Sequence, residues 1–123
     1  MTEVAKSWQV VRSGGGDGHE FPWGEIRWLA DEALGNSPEM TFGRVVIKAG
    51  KRNPSHRHGN CWELLYLLTG RLRHHFGPES AEMEPGDLAV IPPGLGHWAE
   101  ALPLEDAVMV VAYSAGERLM EEL

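Results

Sequence analysis

The chain has a single cysteine, Cys61, among 123 residues. It can therefore form no internal disulfide, and nothing in it calls for an oxidising compartment. Long apolar runs are missing too. No stretch approaches the roughly 20 residues of a membrane-spanning helix. Residues 1–10, which include Glu3 and Lys6, lack an apolar run of signal-peptide length. Basic residues are in the minority, with 11 Lys and Arg against 18 Asp and Glu and a formal charge of −7. That balance argues against nucleic acid and anionic membranes as partners. Together these absences give the expectation of a cytoplasmic protein.

What is present is turn chemistry and apolar bulk. Fifteen Gly, eight Pro and five Trp stand among many Val, Leu and Ile. Short apolar runs punctuated by Gly and Pro indicate an all-β fold, and the length suits one domain over residues 1–123. Strands are expected at 8–11, 26–29, 40–49, 63–69, 71–76, 87–91, 97–101 and 107–113. A glycine-rich loop is expected at 13–18. Gly70 is expected to fold 63–69 and 71–76 into a hairpin. From Ser114 the S-x-x-E spacing to Glu117 predicts a capping box and a short C-terminal helix.

The chemistry gathers in two places. His56 and His58 are separated by one residue, so in extended chain both imidazoles point the same way. Glu63 heads a strand whose same-face partners are Leu65, Leu67 and Thr69. A carboxylate at the head of so apolar a face is costly unless a cation compensates it. His97 follows Pro92-Pro93-Gly94-Leu95-Gly96, a loop able to return the chain to the same end of a barrel. Three imidazoles and one carboxylate suit a divalent first-row metal such as Mn, Fe, Zn or Ni. Six-coordination would leave two positions for water or substrate.

These residues resemble the two motifs of the cupin superfamily. The first, G(X)5HXH(X)3–4E(X)6G, is matched by Gly50, His56, His58, Glu63 and Gly70. The second, G(X)5PXG(X)2H(X)3N, is matched by Gly86, Pro92, Gly94 and His97, with Ala101 in place of the usual Asn. Motif 1 thus spans 50–70 and motif 2 spans 86–101. The resemblance implies a conical β-barrel of jelly-roll type. It implies one metal ion held by His56, His58, Glu63 and His97, and a homodimer formed through the sheets.

His74 shares a strand face with Leu72 and Phe76. In the expected hairpin that face points into the barrel, making His74 a candidate acid or base, a substrate contact, or a buried histidine bonded to a neighbour. Trp62 and Trp98 adjoin ligand positions and are expected to face outward, as is His75. Cys61 reads as a small buried residue and Met109 and Tyr113 as barrel lining. Arg44 and Lys48 share a face that is open to an anion or to solvent. The expected partner is a small molecule. The functional expectation is Lewis-acid chemistry on a small carbonyl, carboxylate or sugar-derived substrate, of isomerase, lyase or hydrolase type. The alternatives are an iron-dependent dioxygenase and a non-catalytic small-molecule binder.

Overall fold

A computed structural model describes residues 7–123. Part of the signal-peptide reading therefore concerns residues 1–6, outside the described residues. The strands are β1 (Asp17–Phe21), β2 (Gly24–Ala30), β3 (Thr41–Ile47), β4 (His56–Arg57), β5 (Glu63–Thr69), β6 (Leu72–Phe76), β7 (Glu79–Met83), β8 (Leu88–Ile91), β9 (His97–Ala101), β10 (Ala107–Tyr113) and β11 (Glu121–Glu122). They form two antiparallel sheets, ordered β1-β2-β3-β10-β5-β8 and β11-β4-β9-β6-β7. This is the all-β, jelly-roll arrangement expected from the sequence.

Alternation builds the core. In β10, Ala107, Met109, Val111 and Tyr113 point inward and are buried. Opposite them in register stand Leu67, Leu65 and Glu63 of β5. Ile47, Leu67, Leu72 and Met109 are fully excluded from solvent. Each such side chain contributes about 2 to 3 kcal/mol relative to an exposed one.

The two outer faces differ. On the first sheet, Phe42, Leu64, Tyr66, Leu68, Leu88 and Val90 are all exposed. Leu64 lies opposite Val90 and Tyr66 opposite Leu88, so the patch is continuous across strands. The second sheet instead carries ion pairs on its outside, Arg73 with Glu82 at 2.7 Å and Arg73 with Glu100 at 3.9 Å.

Several local expectations are corrected. Residues 8–11 form no strand, whereas β1 begins at Asp17, inside the stretch read as a glycine-rich loop. β5 and β6 do not pair. Gly70 carries the chain from one sheet to the other, and β6 lies between β9 and β7. The reason is local: at Gly70 φ is +80°, and a Cβ there would stand 2.5 Å from the Asp106 carbonyl oxygen. Only glycine fits so close to the strand that follows Asp106. β5 is buried on one face only, although Leu64, Tyr66 and Leu68 make its other face apolar too. No C-terminal helix forms. The Ser114 hydroxyl accepts the Trp62 backbone N–H at 2.9 Å instead of capping a helix. The segment beyond it runs back to β4, where Glu121 lies opposite Arg57 and Glu122 opposite His56.

Candidate metal centre

The four predicted ligands meet at one end of the barrel. His56 on β4 lies directly opposite His97 on β9, so pairing within the second sheet sets these two side by side. Glu63 opens β5 in the other sheet, and His58 comes from the stretch linking β4 to β5. The group therefore ties the two sheets together. One candidate donor atom from each of the four lies within 4.8 Å of all the others. That spacing is near the span of ligands held at about 2.1 Å on opposite sides of one ion. The Glu63 Oε1 atom stands 3.2 Å from His58 Nε2 and 3.3 Å from His97 Nε2.

Polar bookkeeping tests whether a cation fits. His58, Glu63 and His97 are each 3% exposed. His58 Nε2, Glu63 Oε1 and His97 Nε2 are buried with no hydrogen-bond partner. Buried polar atoms are normally satisfied, and here three unsatisfied ones converge. The outward-facing nitrogens, in contrast, are all engaged. His56 Nδ1 donates to the Pro54 carbonyl at 2.7 Å and His58 Nδ1 to the Leu119 carbonyl at 3.0 Å. His97 Nδ1 lies 3.1 Å from His74 Nε2. With Nδ1 protonated on each ring, all three Nε2 lone pairs face inward, the tautomer a metal requires. The donor set and the orphaned atoms fit a divalent transition metal.

Burial favours the neutral form of His56, His74 and His97. It is the chief cause that lowers His56 below its usual value, against the opposing pull of the Pro54 carbonyl. It lowers His74 to about 3 and His97 to about 2, helped in both cases by neighbouring histidines. Burial, reinforced by the Glu63 charge, raises Tyr113 well above the ordinary phenol value. Tyr113 thus stays a phenol beside the Glu63 carboxylate.

Beside the four ligands opens a cavity of about 380 Å³. Its walls are largely apolar, with Trp23, Trp28, Leu65 and Met109 among the lining residues, and His56, Glu63, His74 and His97 lie along it. The size is that of a small-molecule site. His74 is 1% exposed and stacks on Phe76, with ring centroids 4.3 Å apart. It thus faces inward as expected, although the hairpin from which this was read does not form.

Other candidates are placed elsewhere. Trp62 is half exposed on the outside of the barrel. Trp98 is sandwiched outside it between His75, at 3.6 Å, and the Arg52 guanidinium, at 3.7 Å. Arg44 lies on the outer face, 3.8 Å from Glu25. Cys61 is buried, and its thiol is pushed up chiefly by that burial. Among the cavity residues that escaped the sequence reading is Arg118, which lies in the stretch taken for a helix. Its guanidinium sits 4.5 Å from the Trp28 ring and 5.4 Å from the Tyr113 ring.

A two-sheet β-barrel with a His-x-His, Glu and His cluster in its mouth defines a class of protein. A family model described as "Cupin domain" matches residues 43–113. The chain belongs to the cupin family. Among solved structures, Lactobacillus farciminis oxalate decarboxylase in complex with formate matches with a TM-score of 0.79 and 19% identity, over 87% of this chain and 33% of that one. A single-substitution variant of Bacillus subtilis oxalate decarboxylase matches with a TM-score of 0.79 and 20% identity, over 87% and 30%. Another structure of the Bacillus subtilis enzyme concerns its Mn(II) centres, with a TM-score of 0.77 and 21% identity over 85% and 29%. The chain thus spans about a third of the length of these decarboxylases. Likeness at this level of identity establishes the fold. A search of curated proteins gave no match.

Proposed function

We propose that His56, His58, Glu63 and His97 hold one divalent transition metal ion, which acts on a small carbonyl- or carboxylate-bearing molecule bound in the adjacent cavity. The observation that carries this reading is the convergence of three buried, unpartnered donor atoms, His58 Nε2, Glu63 Oε1 and His97 Nε2. The Mn(II) centres of Bacillus subtilis oxalate decarboxylase, which has the same fold, support a transition metal.

A bound ion of this kind supplies Lewis-acid polarisation of a substrate oxygen. The remaining work falls to the chain. The carbonyls of Pro54 and Leu119 fix the rings of His56 and His58. His74 accepts the Nδ1 proton of His97 and so orients that ring, while its own Nδ1, buried and without a partner, is available to a substrate acceptor. Tyr113 lies beside Glu63. Apolar walls keep bulk water from the reacting group, which strengthens every polar contact inside.

The test begins with metal content measured on protein purified without chelators. His58→Ala and Glu63→Ala are expected to lose the metal while keeping a β-sheet circular dichroism spectrum. Undiminished metal in either folded variant would sink the assignment. Turnover of a keto-acid or sugar-acid panel without oxygen uptake supports the Lewis-acid reading. Substrate-triggered oxygen uptake by an iron-loaded protein replaces it with a dioxygenase. A ligand that raises the melting temperature with no turnover replaces it with a binding protein.

We also propose a homodimer. The continuous exposed patch of Leu64, Tyr66, Leu68, Leu88 and Val90 supports it, because apolar surface of this kind marks a contact face. The charged outer face of the second sheet is the one suited to water.

A further inference from the structure

Arg118 is built into the cavity in an unusual way. Four other arginines give their guanidinium groups to carboxylates or carbonyls, Arg57 to Glu121, Arg71 to Glu84, Arg73 to Glu82 and Arg27 to the Gly15 carbonyl, and Arg52 lies over Trp98 outside the barrel. Arg118 has no hydrogen bond or ion pair among the described residues. It is held by the faces of Trp28 and Tyr113. Contacts with ring faces fix the plane and position of a guanidinium yet leave its N–H groups free. Tyr113 also stacks edge-on with His58, ring centroids 4.9 Å apart. One aromatic ring thus separates the cation from the candidate metal centre. Arg118 is the one arginine or lysine among the described residues lining this cavity.

Charge sharpens the point. The protein carries a formal charge of −7, which opposes the approach of an anion. A fixed guanidinium with a free donor fork, partly withdrawn from water, is matched to a planar oxyanion and above all to a carboxylate. Much of the remaining wall, including Trp23, Ile26, Val45 and Ile47, is apolar, while His19, Asn53 and the Glu122 carboxylate also line it.

We propose that Arg118 is the recognition group for a carboxylate, and that the cavity takes a small organic acid with an apolar body. Its carboxylate lies on Arg118, and a second polar group lies toward the four ligands. The second contact rests on the metal site proposed above, and the first does not.

The experiment compares acids with their uncharged amides by titration calorimetry at neutral pH. The probe pairs are phenylacetate with phenylacetamide and 3-methylbutanoate with 3-methylbutanamide. The protein is used both as purified and after chelator treatment. At least one acid is expected to bind tenfold or more tightly than its amide. Arg118→Met should abolish that preference with metal content and melting temperature preserved, while Arg118→Lys keeps part of it. Should Arg118→Met fail to fold, Arg118→Gln serves the same comparison. A preference that survives chelation and disappears in the variant supports the proposal, even if the purified protein proves to hold no metal. Acids binding no more tightly than amides, or a preference that survives in folded Arg118→Met or Arg118→Gln, would overturn it. So would a preference lost on chelation, because the carboxylate would then sit on the metal.

Discussion

Mild acid should unfold the metal-free protein far more readily than it unfolds a barrel lacking these buried histidines. In the fold, His74 and His97 are held neutral down to about 3 and about 2. In the unfolded chain a histidine titrates near 6.5. At pH 7.5 both states are neutral at these positions, so neither residue favours unfolding. Below about 6.5 the unfolded chain binds two protons that the fold refuses, and stability falls by about 1.4 kcal/mol per pH unit for each histidine. By pH 4.5 the loss reaches about 5 kcal/mol for the pair, comparable to the whole stability of many domains. Urea denaturation of chelator-treated protein at half-unit steps from pH 7.5 to 4.5 measures this directly. The expected slope corresponds to the uptake of nearly two protons on unfolding, with the lowered His56 adding to it. His74→Gln should reduce the slope by about one proton. A flat stability profile across this range, or a slope indifferent to His74→Gln, would refute the reasoning.

Two further perturbations probe the scaffold. Leu67 is fully buried between β10 and β8, so Leu67→Ala should cost about 3 kcal/mol, read from urea denaturation near neutral pH; a loss below about 1 kcal/mol would mean that the core is looser than described. The double change Leu64→Glu with Tyr66→Glu places charge on the exposed apolar face and should convert dimer to monomer in light scattering, with the circular dichroism unchanged; an unmutated protein that is already monomeric overturns the dimer.

Much of this was legible in the sequence because two physical signals are strong there. Short apolar runs bounded by Gly, Pro and polar residues located β5, β9 and β10 at their observed bounds, since turn residues mark where a strand must stop. The His-x-His spacing, the isolated Glu63 and the Gly/Pro loop before His97 pointed to residues that do converge. Pairing between strands was harder to read. Gly70 could equally turn a hairpin or pass the chain between sheets, and only its contact with the Asp106 carbonyl decides. β1 is exposed along its whole length, so it leaves no apolar pattern to read. The stretch after Ser114 matched a helix cap by spacing, but Ser114 is engaged by Trp62, far away in sequence. Once that stretch was read as a helix, Arg118 lost any apparent tie to the cavity, and no local pattern restores it.

The return of that segment to β4 has a kinetic consequence. The carbonyl that orients His58 belongs to Leu119, 61 positions along the chain. Asn60 binds the same stretch at both ends of its amide, donating to the Glu117 carbonyl at 2.7 Å and accepting from the Leu119 N–H at 3.0 Å. His56, His58 and Glu63 are close neighbours in sequence and can gather early, whereas the struts that set their angles arrive only after a long loop has closed. Sequence separation thus divides the centre into a local trio and a distant set of struts. An ion held there, as proposed above, would gain its final ligand angles only when that segment closes.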